Sequence, residues 1–200
     1  TTFVDGTHLT AQVPAAAIAA AKTASVTVFN PLPGGGSSNV LSFAINNPVP
    51  VMNSLTPTTS AAGAGGLTLT VNGSGFINGS VIRFAGSNRT TNFSSSTQLT
   101  ATLTLADLAI AGTFAVTVQT AGPGGGTSNA LNFTVNNPLP TVTTLSPSSV
   151  ATGAAAFTLT INGTNFVNGS TVKFNGSNRP TNFVSSTQVT ADLSAADVAT

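Results

Sequence analysis

Chemistry in proteins needs imidazoles, carboxylates, thiols or clustered cations, and this 200-residue chain holds very few. It has one histidine, His8, and four carboxylates, Asp5, Asp107, Asp192 and Asp197. Its cations are Lys22, Arg83, Arg89, Lys173 and Arg179, and it contains no Cys, Glu, Trp or Tyr. His8 has only Asp5 near it in sequence, too little for a general base or a metal ligand, and it reads as an exposed strand-edge residue. Four scattered Asp do not make the clustered oxygen set that calcium prefers. Without Cys there is no thiolate for zinc, redox or nucleophilic work. The run Gly122-Pro123-Gly124-Gly125-Gly126 lacks the Lys and following helix of a phosphate loop and reads as a hairpin loop. A net charge of +1 offers no electrostatic footprint for nucleic acid. The expectation is a non-enzymatic chain without cofactor or metal, so catalytic, cofactor-binding and metal residues are none.

What positions these few groups is a repeat. Val71-Asn72-Gly73-Ser74-Gly75-Phe76-Ile77-Asn78-Gly79-Ser80 returns as Ile161-Asn162-Gly163-Thr164-Asn165-Phe166-Val167-Asn168-Gly169-Ser170. The same shift of about 90 residues carries Gly86-Ser87-Asn88-Arg89 onto Gly176-Ser177-Asn178-Arg179. Backward, it carries Pro123-Gly124-Gly125-Gly126 onto Pro33-Gly34-Gly35-Gly36, and Asn136-Asn137-Pro138 onto Asn46-Asn47-Pro48. Pro punctuates strands, so the Asn-Asn-Pro element marks the boundaries. Residues 1–47 then read as the C-terminal half of a repeat, 48–137 as a complete one, and 138–200 as the N-terminal two-thirds of another. A partial sandwich exposes core and strand edges. The end pieces therefore belong either to a longer array or to domains completed by a neighbouring subunit.

Within a repeat the dominant period is two, the mark of half-buried strands. Leu67, Leu69 and Val71 alternate with Thr68 and Thr70; Leu99, Ala101 and Leu103 alternate with Thr100 and Thr102; Leu131, Phe133 and Val135 alternate with Asn132 and Thr134. Asn72-Gly73, Asn78-Gly79, Asn162-Gly163, Asn168-Gly169 and Asn175-Gly176 are turn signals. Thr104-Leu105-Ala106-Asp107 and Ser194-Ala195-Ala196-Asp197 read as capping boxes of one short helix per repeat. The expectation is an all-β chain of tandem immunoglobulin-like sandwiches with about seven strands per repeat.

The motif set resembles the IPT/TIG domain. It comprises Leu55-Thr56-Pro57, Leu67 through Phe76, Ser80 through Gly86, Gly112 through Val118, and Gly124 through Val135. The resemblance covers essentially the whole chain. It implies an early-set immunoglobulin-like fold, found in receptor ectodomains, Rel-type transcription factors and bacterial surface or secreted proteins. Tandem copies this alike, rich in Thr and Asn, are most similar to the bacterial extracellular kind. Rel-type members bind DNA through basic loops, and two cations per repeat fall short of that.

Surface chemistry completes the reading. A chain this poor in charge lacks the usual guard against association. Two devices would replace it: sugars or self-assembly. N-x-[ST] acceptor patterns stand at Asn72, Asn78, Asn88, Asn92, Asn132, Asn162, Asn168 and Asn175. Arg83, Arg89, Lys173 and Arg179 are candidate inter-subunit contacts. No apolar run reaches the roughly 18 residues of a membrane span, and Thr1-Thr2-Phe3 does not open a signal peptide, so the chain reads as a mature or excised piece. Val135-Asn136-Asn137-Pro138-Leu139-Pro140 leaves little slack between domains and reads as a stiff joint. The expected function is structural, an extracellular or cell-surface stalk, fibre or filament that self-associates. The alternative is an adhesive or carbohydrate-binding spacer of a larger secreted protein, using Phe93, Phe183 or Phe3.

Overall fold

The computed structural model describes residues 1–199. The chain divides into two compact units, Thr1–Asn136 and Asn137–Thr200.

Within the first unit, residues 51–136 close a two-layer sandwich. One sheet is four-stranded, in the order Thr91–Ser95, Gln98–Leu103, Leu67–Ser74, Val51–Thr56. The facing sheet runs Ser87–Asn88, Val81–Phe84, Gly112–Thr120, Leu131–Asn136, Thr59–Ala61, and Gly126–Thr127 also pairs with Gly112–Thr120. All pairings are antiparallel except Thr134–Asn136 against Thr59–Ala61. The two-residue period turns one apolar row of each strand inward. Leu69, Val71, Ile82, Leu99, Val116, Val118 and Phe133 are fully buried between the sheets. Phe133 meets Phe84 edge-on with ring centroids 5.8 Å apart, an arrangement the aromatic quadrupole favours. Without disulfides, this packing holds the sandwich; each such side chain contributes about 1.5–3 kcal/mol on burial.

Residues 1–47 hold smaller pieces: hairpin Thr2–Asp5 with His8–Thr10, the pair Lys22–Val26 with Leu41–Ile45, and the pair Phe29–Asn30 with Gly36–Ser37. None of their hydrophobic residues is buried. The second unit has one four-stranded sheet, Thr141–Ser146, Phe157–Thr164, Gln188–Leu193, Thr181–Ser185, and the short hairpin Lys173–Phe174 with Ser177–Asn178. Its core is Leu159, Ile161, Phe166, Val189, Ala191 and Leu193.

Two local expectations are corrected. Asn72-Gly73 and Asn162-Gly163 are not turns; they lie inside the strands Leu67–Ser74 and Phe157–Thr164. Glycine is required there by close approach. A Cβ on Gly73 would sit 2.0 Å from the Val51 carbonyl oxygen, and one on Gly163 would sit 1.9 Å from that of Thr141. The partner strands bulge at this point, between Met52 and Ser54 and between Val142 and Thr144, which brings the backbones together. The Asn78-Gly79, Asn168-Gly169 and Asn175-Gly176 dipeptides do form turns. A 3-10 turn follows Pro14 at Ala15–Ile18, without a side-chain cap. The other two expected helices are one 3-10 turn at Ala195–Val198 and a turn only at Leu105–Leu108. Both carry the reciprocal cap: Asp197 accepts from the Ser194 N–H at 2.9 Å, and Asp107 from the Thr104 N–H at 2.8 Å.

Candidate functional site: a clamped joint and two open faces

The charged residues are placed for structure. Arg89 donates through Nε to Asp107 Oδ2 at 3.0 Å and through Nη2 to Asp107 Oδ1. Arg179 and Asp197 repeat this fork, Nε to Oδ2 at 3.0 Å. Each guanidinium also lies over a ring, 5.7 Å from the Phe84 centroid and 5.9 Å from that of Phe174. A planar fork matches a carboxylate in two places at once. For Asp107, burial opposes the charged form. Hydrogen bonds from Arg89 and from the Thr104 N–H and hydroxyl outweigh that and hold its carboxyl below the ordinary 3.8. Asp197 is lowered as well, first by the Arg179 hydrogen bond and then by the Ser194 N–H.

The guanidiniums of Arg89 and Arg179 are thus engaged within their own domains. Arg83 donates to the Gly86 carbonyl from Nε at 3.1 Å, and Lys173 is exposed. His8 lies exposed against Asp5, with Nδ1 3.0 Å from Oδ1. Among the described residues, no group of three or more His, Cys, Asp or Glu is placed to hold a metal ion, and no helix is long and apolar enough to cross a membrane.

Of the glycosylation acceptors, Asn78, Asn88, Asn92, Asn132, Asn168 and Asn175 are exposed. Asn72 and Asn162 are half-buried, each accepting from a glutamine, Gln98 Nε2 at 3.1 Å and Gln188 Nε2 at 2.9 Å. Phe3 and Phe93 are exposed, whereas Phe183 is half-buried against the second unit's core.

The glycine-rich loop at 122–126 connects two strands, as expected, and it also grips the joint. The Asn47 N–H donates to the Pro123 carbonyl at 2.8 Å, and the Gly125 N–H donates to the Asn47 carbonyl at 2.8 Å. Asn47 Nδ2 donates to the Ala121 carbonyl at 2.9 Å. Gly124 makes this approach feasible. Its φ is +70°, and a Cβ there would lie 2.7 Å from the Asn47 oxygen and 2.5 Å from Asn46 Cβ. Three hydrogen bonds therefore fasten the segment entering the 51–136 sandwich to that sandwich's far loop.

A second clamp was missed in the sequence. Asn129 accepts from the Met52 N–H at 2.8 Å and donates to the Met52 carbonyl at 3.0 Å. It ties the first strand to the loop before the last one. The preceding Ser128 accepts from the Val118 N–H at 2.9 Å. The repeated Ser-Asn pair at 38–39 and 128–129 was the available signal. It reads as a generic polar loop until its partner is known.

Two apolar faces lie open. In the second unit a cleft of about 370 Å³ is lined by residues that include Val142, Leu145, Leu159, Val172 and Phe174. In residues 1–47 a hollow of about 250 Å³ is lined by residues that include Val13, Ile18, Val26, Phe43 and Ile45.

One comparison with known protein families agrees with this architecture. The IPT/TIG domain family matches residues 50–135 and 140–198. No curated protein matches the chain. Among solved structures it is similar to one described as the plexin A4 full extracellular region, domains 1 to 10. The identity is 15%, the TM-score is 0.32, and the match covers 80% of this chain and 14% of that one. The family consists of immunoglobulin-like modules that are typically non-catalytic. With two tandem matches, each over a sheet system of the kind its repeats call for, the chain belongs to the IPT/TIG domain family.

Proposed function

We propose that this chain is a non-catalytic structural segment of an extracellular or cell-surface protein that forms a stalk, fibre or filament. In this reading residues 1–47, 48–137 and 138–200 are the C-terminal half, the whole, and the N-terminal two-thirds of successive repeats. The observation that carries it is the clamp on Asn47. A joint held by three hydrogen bonds to the next domain's loop transmits orientation, where a flexible tether would lose it. Nearest-neighbour contacts of that kind set the course of a repeat array.

The near absence of charge supports lateral or end-to-end association, and the likeness of the copies fits a bacterial extracellular array. Exposed acceptors such as Asn78, Asn88 and Asn92 would carry sugars on such a surface, which intact-mass measurement before and after deglycosylation would reveal. A sugar-binding spacer has one observation in its favour, the exposure of Phe3 and Phe93. Aromatic faces of that kind stack on sugars, though without the polar tip of Trp or Tyr.

The test is electron microscopy of the native material, isolated from its source and spread at high dilution. Ordered filaments with a regular axial spacing are expected. Isolated, unassociated rods would overturn the filament. Glycan screening of those rods would then test the spacer.

A further inference from the structure

We infer that Asn78 and Asn168 are sites of spontaneous deamidation, in which water turns the side-chain amide into a carboxylate, while Asn72 and Asn162 are protected by the strands that hold them. This reactivity is independent of whether the chain forms a fibre.

The chemistry belongs to an asparagine followed by glycine. The glycine backbone nitrogen gives up its proton and attacks the asparagine Cγ. The bond from Cγ to the side-chain nitrogen breaks, and ammonia leaves with that proton. Water then opens the five-membered succinimide at either ring carbonyl. One opening gives aspartate; the other gives isoaspartate, with the side-chain carbon inserted into the main chain. Nothing is oxidised or reduced, and water is the only co-reactant. The step needs a glycine nitrogen without another bond and an asparagine side chain free to rotate onto it. Glycine favours the attack because no Cβ shields its nitrogen.

The closed sandwich holds one dipeptide of each kind. Asn72-Gly73 lies inside the strand Leu67–Ser74. The Gly73 N–H donates to the Thr97 carbonyl at 2.9 Å. Asn72 is half-buried; it accepts from Gln98 Nε2 at 3.1 Å, and its Nδ2 lies 3.4 Å from Ser54 Oγ. Both reacting groups are therefore engaged, and freeing them requires the strand to part from its neighbours, an opening that draws on the stability of the core.

Asn78-Gly79 stands at the tip of the turn 77–80, and both residues are exposed. The turn is anchored on its flanks. The Ser80 N–H donates to the Ile77 carbonyl at 2.9 Å, and the Ile77 N–H donates to Ser80 Oγ at 3.0 Å. That buried hydroxyl lies 2.9 Å from Thr120 Oγ1. Between these anchors, among the described residues, neither the Gly79 N–H nor the Asn78 amide has a hydrogen-bond partner.

The second unit repeats both arrangements. The Gly163 N–H donates to the Thr187 carbonyl at 2.9 Å. Asn162 accepts from Gln188 Nε2 at 2.9 Å and donates to Thr144 Oγ1 at 3.0 Å. Asn168-Gly169 tips the exposed turn 167–170, with both flanking bonds at 2.9 Å. Gly79 and Gly169 share a left-handed backbone, at φ +100° and +99°. Asn175-Gly176 has Ala85-Gly86 as its counterpart and so offers no such pair in the closed sandwich.

Each conversion adds a negative charge to a chain with four carboxylates, and conversion at both turns carries the formal net charge from +1 to −1. A glycan on either turn asparagine would occupy the nitrogen that leaves, so sugar attachment and deamidation exclude one another there.

The sequence supplies its own control. Each of the four asparagines follows Val or Ile and precedes Gly and then Ser or Thr, so the unfolded chain should react at similar rates at all four. The chain, made in a host without N-glycosylation, is kept in ¹⁸O-labelled water at mildly alkaline pH, with and without concentrated urea. Peptide mass spectrometry then locates the oxygen taken up, and electron-transfer fragmentation separates isoaspartate from aspartate. Each site's rate in the folded chain is read against its own rate in urea. Folding should slow Asn72 and Asn162 by about tenfold or more beyond Asn78 and Asn168. Gly79→Ala places a methyl beside the attacking nitrogen and should slow Asn78 while leaving Asn168 unchanged. Equal protection at the four sites, or stronger protection at the turns, would overturn the inference. So would a folded Gly79→Ala chain that reacts at Asn78 as fast as before; if that variant does not fold, the comparison of protection still decides.

Discussion

The sandwich at 51–136 and the unit at 137–199 are repeats of one another, with about half of their shared positions identical, yet one is closed and the other open. Local geometry hardly differs between them. The Arg–Asp fork, the cap on its aspartate, the bulge opposite the strand glycine and the Thr–backbone bond recur with near-identical distances. Burial differs greatly: Met52 is 3% exposed and Val142 62%. Hydrogen-bonded detail is therefore written within a few dozen residues, whereas the core depends on strands much farther along the chain. The comparison teaches that caps, forks and bulges are set by near neighbours, whereas burial of the first strand, at Met52 and Leu55, comes with strands Gly112–Thr120 and Leu131–Asn136.

The largest test of that contrast is a matched pair of truncations. Phe133→Ala should cost the closed sandwich about 3–5 kcal/mol through lost burial and a cavity. Phe43→Ala, at the equivalent exposed position, should change the dilute, monomeric chain by less than about 0.5 kcal/mol. Urea unfolding followed by circular dichroism would separate them, and a similar cost at both sites would break the comparison.

Next come the glycines, where the two units should behave alike. Gly73→Ala should destabilise by about 1–3 kcal/mol, because backbone cannot yield as a flexible side chain can. Gly163→Ala should cost a similar amount, read as faster amide exchange along Phe157–Thr164. A benign result at either site would mean that the bulged strand relaxes.

The fork gives a smaller effect. Arg89→Ala should cost about 1–2 kcal/mol, the size expected of hydrogen bonds to a charged group near water, and Arg179→Ala should act in the same direction. Thermal unfolding of the two variants would show it, and unchanged transitions would reduce the fork to ornament.

The smallest effect is on pH. Asp107 and Asp197 both titrate below the ordinary 3.8 in the folded chain. Their contribution is fully present above that value and is lost as pH falls through the lowered folded values. Acid thermal scans should therefore show stability declining below about pH 4. Asp107→Asn should be less stable near neutrality and lose less on acidification.

Much of the fold was legible because strand alternation is a local signal. The inward rows at 67–71, 99–103 and 131–135 are where the period places them. Asn72-Gly73 misled because Asn-Gly marks a tight turn, while here the glycine answers to a carbonyl about twenty residues away. The Arg89–Asp107 fork was hidden for a related reason. Both residues recur at the repeat spacing, but no local period joins positions 18 apart. Asn47 was legible as a boundary and not as a clamped residue, since its partners lie more than seventy residues downstream. Asn129 shares that distance from Met52. The candidate site was thus visible in composition and repeat phase, and its contacts came only with the third dimension.

One pairing in the closed sandwich bears on how it would carry load. Thr59–Ala61, near its beginning, lies parallel to Thr134–Asn136, at its end. The Thr134 N–H donates to the Thr58 carbonyl and the Ala62 N–H to the Asn136 carbonyl, at 3.0 and 2.7 Å. Tension applied at the two ends would drag these neighbours in opposite directions along their common axis. Such a pull strains the bonds together, as in shear, whereas an antiparallel terminal pair would unzip one bond at a time. A domain so tied should hold until the whole patch ruptures, and single-molecule stretching would record one abrupt extension of the chain in place of a gradual lengthening.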